Sequence, residues 1–113
     1  MTISRRKPAP GKAIGVYWTE KALADLEAIG DYIAADSPAA AMRWVEELMA
    51  AAKKASHTPR AGRRVPEIGR DDIREVIKRK YRIVYEVREF RLDVLTVFEG
   101  HRIFPEAVVR QHA

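Results

Sequence analysis

The chain has no cysteine, which excludes disulfides, thiol nucleophiles and Cys-based zinc sites. No apolar run approaches the roughly 20 residues that a membrane helix needs. Residues 1–12 are basic, but no long apolar core follows them, so they do not read as a secretory signal. These absences predict a soluble cytoplasmic protein with no membrane partner. There is no Gly-Lys-Ser ending of a phosphate-binding loop and no GxGxxG, so nucleotide binding through either motif is unsupported. His57, His101 and His112 fall at no recognised metal-ligand spacing. Neither a cofactor nor a metal is expected. Asn-Gly is also missing, so no turn signal pins the register of a hairpin.

What is present is ordinary in bulk and uneven in placement. A chain of 113 residues suffices for one core and is too short for two. Hydrophobic residues make up 47% and charged residues 33%, a globular mix. The net charge is +5 and the pI about 9.7, which suits an anionic partner or a solvated basic surface. The N-terminal half is nearly balanced, whereas residues 60–91 are rich in arginine, the residue that recognises phosphate or carboxylate with a planar fork.

Taken in order, residues 1–13 show no period and read as a flexible basic arm. Ile14, Val16 and Trp18 alternate as a first strand. Thr19 is a helix N-cap, and Ala22, Leu26, Ile29 and Ile33 form the buried stripe of a helix to about Ala35, widened by Leu23 and Tyr32. Ser37-Pro38 restarts the chain. The second helix runs to about Ser56 on Ala41, Val45, Leu48 and Ala52, with Trp44 and Met49 beside the stripe. Residues 59–71 read as a loop and 72–79 as a second strand. Tyr81, Ile83, Tyr85 and Val87 alternate with Arg82, Val84, Glu86 and Arg88, which predicts a half-buried strand with one polar working face. Residues 91–99 are apolar on both faces and read as an interior strand. Phe104 and Val108 or Val109 are candidates for docking a C-terminal extension. The expected fold is α+β, in the order β-α-α-β-β-β, with a helical hairpin packed on a small twisted, mainly antiparallel sheet.

These residues resemble the RelE/ParE superfamily of type II toxin–antitoxin toxins. The resemblance rests on Val16 to Trp18, Ala22, Asp25-Leu26, Ile29, Tyr32-Ile33, Pro59, Gly62-Arg63, Tyr81-Arg82-Ile83, Tyr85 and Gly100-His101-Arg102. It covers residues 14–104 as the toxin domain, leaving 1–13 as the arm and 105–113 as the extension. It implies a cognate antitoxin and two possible targets. ParE-like members poison DNA gyrase. RelE-like members are ribosome-dependent messenger RNA endonucleases. The long hairpin helices and the Asp25-Leu26…Tyr32-Ile33 pattern look more like the ParE branch. That branch usually ends in His-Gly-Arg-Arg, where this chain has Glu99-Gly100-His101-Arg102.

Metal-free RNA cleavage needs a base, a cation on the phosphorane and an acid. The resemblance to one RelE-like subgroup offers Glu67, Arg82 and His101 for these roles, but the tyrosine of that subgroup is missing after His101. A gyrase poison needs only a binding surface, for which Arg63, Arg64, Arg74, Arg82 and Arg102 are the candidates. The plain alternative is a non-toxic interaction module in which Arg82 pairs with Glu75 or Glu86. Under either toxic reading, Arg82→Glu is expected to abolish toxicity without unfolding the domain.

Overall fold

The computed structural model describes residues 13–112; the expected arm at 1–13 lies almost wholly outside them. Strand β1 spans Gly15–Trp18, followed by helices α1 (Glu20–Ala34) and α2 (Pro38–Ala55) and a 3-10 turn at Pro59–Ala61. Strands β2 (Arg63–Arg64), β3 (Ile73–Lys78), β4 (Tyr81–Val87) and β5 (Arg91–Glu99) come next, and helix α3 (Glu106–His112) closes the chain. The sheet order is β1-β5-β4-β3-β2. β1 runs parallel to β5, with Gly15 opposite Arg91, and the other pairs are antiparallel. β5 is interior, as its two apolar faces predict.

Local chemistry sets the helix ends. The Thr19 hydroxyl accepts from the Ala22 amide, and Ser37 does the same for Ala40, with Pro38 at the first helical position. Ala22, Leu26, Leu48, Ala52 and Ala55 then pack on Tyr81, Ile83, Tyr85, Leu92 and Val94. The alanines let the hairpin lie close to the sheet. Asp25 fastens α1 to β5 by accepting from the Thr96 hydroxyl and the Val97 amide.

The opposite face of the sheet is covered as well, which corrects the expected polar working face of β4. Val65, Ile73, Val84, Leu95 and Val109 form a second buried cluster, with Ile68, Phe98 and Phe104 against it. Two short elements, β2 and α3, were not visible as strand or helix in the sequence, and they bring Val65 and Val109 to that face. Of the two docking valines, Val109 is the fully buried one. Leu23, Met49 and Tyr32 do not complete the helix stripes; they are exposed, Tyr32 by 75%.

One glycine is fixed by close approach. A Cβ on Gly62 would lie 2.2 Å from the Tyr85 hydroxyl oxygen and 3.0 Å from the Glu75 carbonyl oxygen. The Tyr85 hydroxyl donates to the Pro59 carbonyl, 2.8 Å away, so the 59–62 turn is drawn down over β4.

Candidate functional site

Arg82 stands on the second face of β4, opposite Phe98 of β5 and Ile77 of β3. The register sets Glu75 on the same face, diagonal to it. Arg82 Nε donates to Glu75 Oε1 at 2.6 Å, and NH1 and NH2 each donate to a different oxygen of Glu67 at 2.9 Å. The guanidinium also lies 5.3 Å from the Phe98 ring centroid and 5.1 Å from that of Phe104. Glu75 is 1% exposed and Arg82 8%. The other oxygen of Glu75 accepts from Arg63 Nε and NH2, at 2.8 and 2.5 Å. The result is a chain of four charges, Arg63–Glu75–Arg82–Glu67, whose three links are all charge-assisted hydrogen bonds of normal or short length.

Electrostatics follow from this geometry. The hydrogen bond from Arg82 holds the Glu67 carboxyl at a pKa of about 2, against the resistance of partial burial. The same bond raises the Arg82 pKa, with Glu75 adding to it. Glu67 is therefore a very weak base at neutral pH. The Arg82 fork is filled by a carboxylate of the same molecule.

Of the three residues assigned to RNA cleavage, the fold brings Glu67 and Arg82 together. The β4–β5 register also carries Gly100 against Arg82, where a Cβ would lie 3.5 Å from its side-chain carbons. His101 does not join them. Its side chain is 73% exposed and Nδ1 sits 3.3 Å from Glu99. Among the surface candidates, Arg74 is occupied internally: it donates to the Asp71 carboxylate and to the carbonyls of Arg60, Gly62 and Asp71, strapping the 3-10 turn to β3. Arg64 donates to the Gly69 carbonyl, and Gly69 adopts a left-handed φ of 73°. Arg102 is exposed beside a groove lined by Lys21, Tyr32, Phe98 and Ile103. Neither Arg64 nor Arg102 makes an ion pair among the described residues.

The sequence reading did not single out Phe98 and Phe104 as walls of the Arg82 site. It also missed a second cluster, Glu86, Asp93 and His112, whose ligand-capable atoms lie within 4.8 Å of one another. His112 Nε2 is 2.9 Å from Asp93 Oδ2, and Arg88 and Arg91 each place Nε 2.7 Å from an Asp93 oxygen. Burial opposes ionisation of Asp93, yet the His112 hydrogen bond and the charges of Arg91 and Arg88 hold its pKa below the usual value. With two guanidinia already on Asp93, the cluster works as a hydrogen-bonded clasp between the end of α3 and β5. The only sequence signal for it was the apolar spacing of Phe104 and Val109, which docks α3 in the first place.

Residues 16–104 match the family described as ParE toxin of type II toxin-antitoxin system, parDE. The chain belongs to that family. A curated relative, Toxin RelE2 of Caulobacter vibrioides, is 50% identical over 48 residues, 42% of this chain and 54% of that protein. The match thus spans about half the relative's length. The fold recurs in the chromosomal ParDE system of P. aeruginosa, with a TM-score of 0.64 at 23% identity, over 77% of this chain and 96% of that one. A mutant of E. coli toxin RelE in the free state gives a TM-score of 0.60 at 20% identity, over 88% of this chain and 93% of that one. The RelBE2 toxin–antitoxin complex of Mycobacterium tuberculosis gives 0.59 at 17%, over 86% and 100%. This ParE-family chain is a toxin of the RelE/ParE superfamily, with the helical hairpin on a mainly antiparallel sheet that its sequence predicts, and with the parallel β1–β5 pair in addition. Among the described residues, no helix is long and apolar enough to cross a membrane.

Proposed function

We propose that this toxin acts by binding, in the ParE manner, on DNA gyrase in the cytoplasm, and that a cognate antitoxin neutralises it. The observation that carries the reading is the Arg82–Glu67 fork. A phosphate clamp must present open N–H groups, and a general base must have a pKa near the working pH. Arg82 gives Nε and both terminal nitrogens to carboxylates, Glu67 titrates at about 2, and His101 is turned to solvent beside Glu99. The three groups do not form an acid–base site. They fit a rigid scaffold that displays other residues. The antitoxin part of the proposal draws on the two structural neighbours described as toxin–antitoxin systems.

Ribosome-dependent messenger cleavage is the second reading, favoured by the 48-residue match to the relative called Toxin RelE2. Purified toxin is incubated with gyrase, relaxed plasmid and ATP, and supercoiling and trapped double-strand breaks are scored, with antitoxin added back. Inhibition relieved by antitoxin is the expected result. If folded protein that is toxic in cells leaves gyrase untouched and cleaves ribosome-bound messenger, the second reading replaces the first.

A further inference from the structure

The sheet has two edges, and they are protected unequally. On the β3 side, β2 covers Arg74 and Glu75, and the uncovered end of the strand runs into Lys78, Arg79 and Lys80. Charge placed in this way keeps a strand edge from pairing with another chain. On the other side, β1 is the outermost strand among the described residues. Residues 13–18 read Ala-Ile-Gly-Val-Tyr-Trp, with no charge and no proline. The Gly15 amide donates to the Phe90 carbonyl and the Thr19 amide to that of Val94. Backbone groups alternate in direction along a strand, so those of Val16 and Trp18 face away from β5. Ile14 faces the same way, and its amide donates to the Ser56 carbonyl. Beside this edge lies an apolar groove, with Ile14, Val16 and Trp18 on one wall and Met49, Ala50 and Lys53 of α2 on the other. Met49 is 43% exposed and Tyr17, on the opposite face of β1, 45%. Met42, Glu46, Met49 and Lys53 recur at i, i+4, i+7 and i+11 and form one exposed stripe of α2. Neither Glu46 nor Lys53 makes an ion pair among the described residues.

We infer that the β1 edge and the α2 stripe beside it form an isologous interface between two copies of this chain. In such an interface one patch meets itself across a two-fold axis, and this patch is self-complementary in backbone, charge and apolar surface. Antiparallel pairing of β1 with β1 of a second copy, centred on Tyr17, sets Val16 opposite Trp18 of that copy, twice over. The outward amides and carbonyls of both residues are then paired, and a β-branched residue against an aromatic one is a favourable cross-strand contact. The same axis reverses α2 against its copy. Glu46 and Lys53 lie about one turn to either side of Met49, so Glu46 approaches Lys53 of the second copy and Lys53 approaches its Glu46. The two Met49 side chains cover one another between these pairs. A four-residue strand alone falls short of the roughly 1,200 Å² that a stable interface buries; the α2 stripe supplies the second contact. The rival occupant is an acidic antitoxin strand. It would meet no cation along β1 and only Lys53 in the groove, because Arg91, which lies over the Tyr17 ring, already holds Asp93. The inference does not depend on which target the toxin has.

The test is sedimentation equilibrium of the full chain without antitoxin. The wild type is expected to move from 12.9 kDa towards twice that mass as its concentration rises. Val16→Pro deletes an outward N–H and no β1–β5 bond, so a folded monomer is the expected result, with circular dichroism as the check on folding. Lys53→Glu sets like charges together at both symmetric contacts and should weaken association about tenfold. Adding Glu46→Lys to it should restore wild-type association, which a variant damaged in folding would not show. The chain has no cysteine, so Tyr17→Cys is a clean reporter. Opposed residues of this non-hydrogen-bonded type have Cα atoms about 4.5 Å apart, within disulfide range. Oxidation should link Tyr17→Cys into a covalent dimer and leave Tyr32→Cys, exposed at the far end of α1, monomeric. A wild type that stays monomeric at every concentration overturns the inference, as does a dimer that Val16→Pro and Lys53→Glu leave intact. Antitoxin binding that Val16→Pro abolishes in an otherwise monomeric chain gives the edge to an antitoxin strand and overturns self-pairing as well.

Discussion

Arg82 and Glu67 meet as two parallel hydrogen bonds, each 2.9 Å long, between a nearly buried guanidinium and a carboxylate in the loop after β2. Arg82 also serves the fully buried Glu75, so it neutralises an acid that otherwise has only Arg63. The expectation that Arg82→Glu leaves the domain folded is therefore reversed: it would set three carboxylates together in a dry site. Arg82→Ala, which removes one partner of a buried pair, should destabilise the protein by about 3–5 kcal/mol in urea unfolding. A loss below about 1 kcal/mol would show that the network contributes little to the fold.

Glu67 gives a pH signature. Its folded pKa of about 2 lies below its ordinary value of 4.5, so its contribution to stability is present above pH 4.5. That contribution is lost as the pH falls from 4.5 towards 2. Asp93, also depressed, adds in the same direction. Wild type should lose urea resistance between pH 6 and pH 3, and Glu67→Gln should lose less over the same interval. On the proposed gyrase reading, Glu67→Gln should inhibit gyrase as wild type does, whereas loss of a catalytic base would lower ribonuclease activity by orders of magnitude.

Gly62 and Tyr85 should be energetically coupled. Gly62→Ala drives a methyl to 2.2 Å from the Tyr85 hydroxyl oxygen, and overpacking of this kind costs about 1–3 kcal/mol. Tyr85→Phe removes that oxygen and, with it, the bond to the Pro59 carbonyl. In a double-mutant cycle the pair should be less destabilised than the sum of the singles. Strict additivity would mean that the Glu75 carbonyl, at 3.0 Å, sets the clash instead.

The α3 clasp can be opened from either end. Val109 is fully buried against Val84 and Leu95, and Val109→Ala should cost about 1–3 kcal/mol. His112→Ala removes a ligand of the Asp93 carboxylate at the helix end. It should raise amide exchange in residues 106–112 while leaving β4 protected. Equal acceleration in β4 would mean that α3 does not open on its own.

Much of the fold was legible because its longer elements carry strong periods and caps. Thr19, Ser37-Pro38 and the Leu26 and Leu48 stripes placed both helices within a residue or two of their observed ends. The alternation of Tyr81, Ile83 and Tyr85 placed β4. What escaped were elements too short to show a period, β2 with two residues and α3 with seven. Those two cover the second face, so missing them made a buried network look like an open working surface. The pairing of Arg82 with Glu75 was among the alternatives read from sequence. Its sharing with Glu67 was not, because the loop position of Glu67 is fixed by Val65 entering the second core. Likewise, residue type alone could not tell that Arg74 is spent on Asp71 and on the carbonyls of the 3-10 turn.

The parallel pairing of β1 with β5 has a consequence for synthesis. Gly15–Trp18 is made early, yet the strand it pairs with is Arg91–Val94. The Asp25 anchor of α1 likewise waits for Thr96 and Val97. Such distant pairings make for slow folding. On a translating ribosome the helical hairpin emerges without the sheet it covers, and no product that stops short of residues 91–94 can place β1 in the sheet. A toxin built this way stays unformed through most of its own translation, and its apolar helix faces are open to capture during that interval.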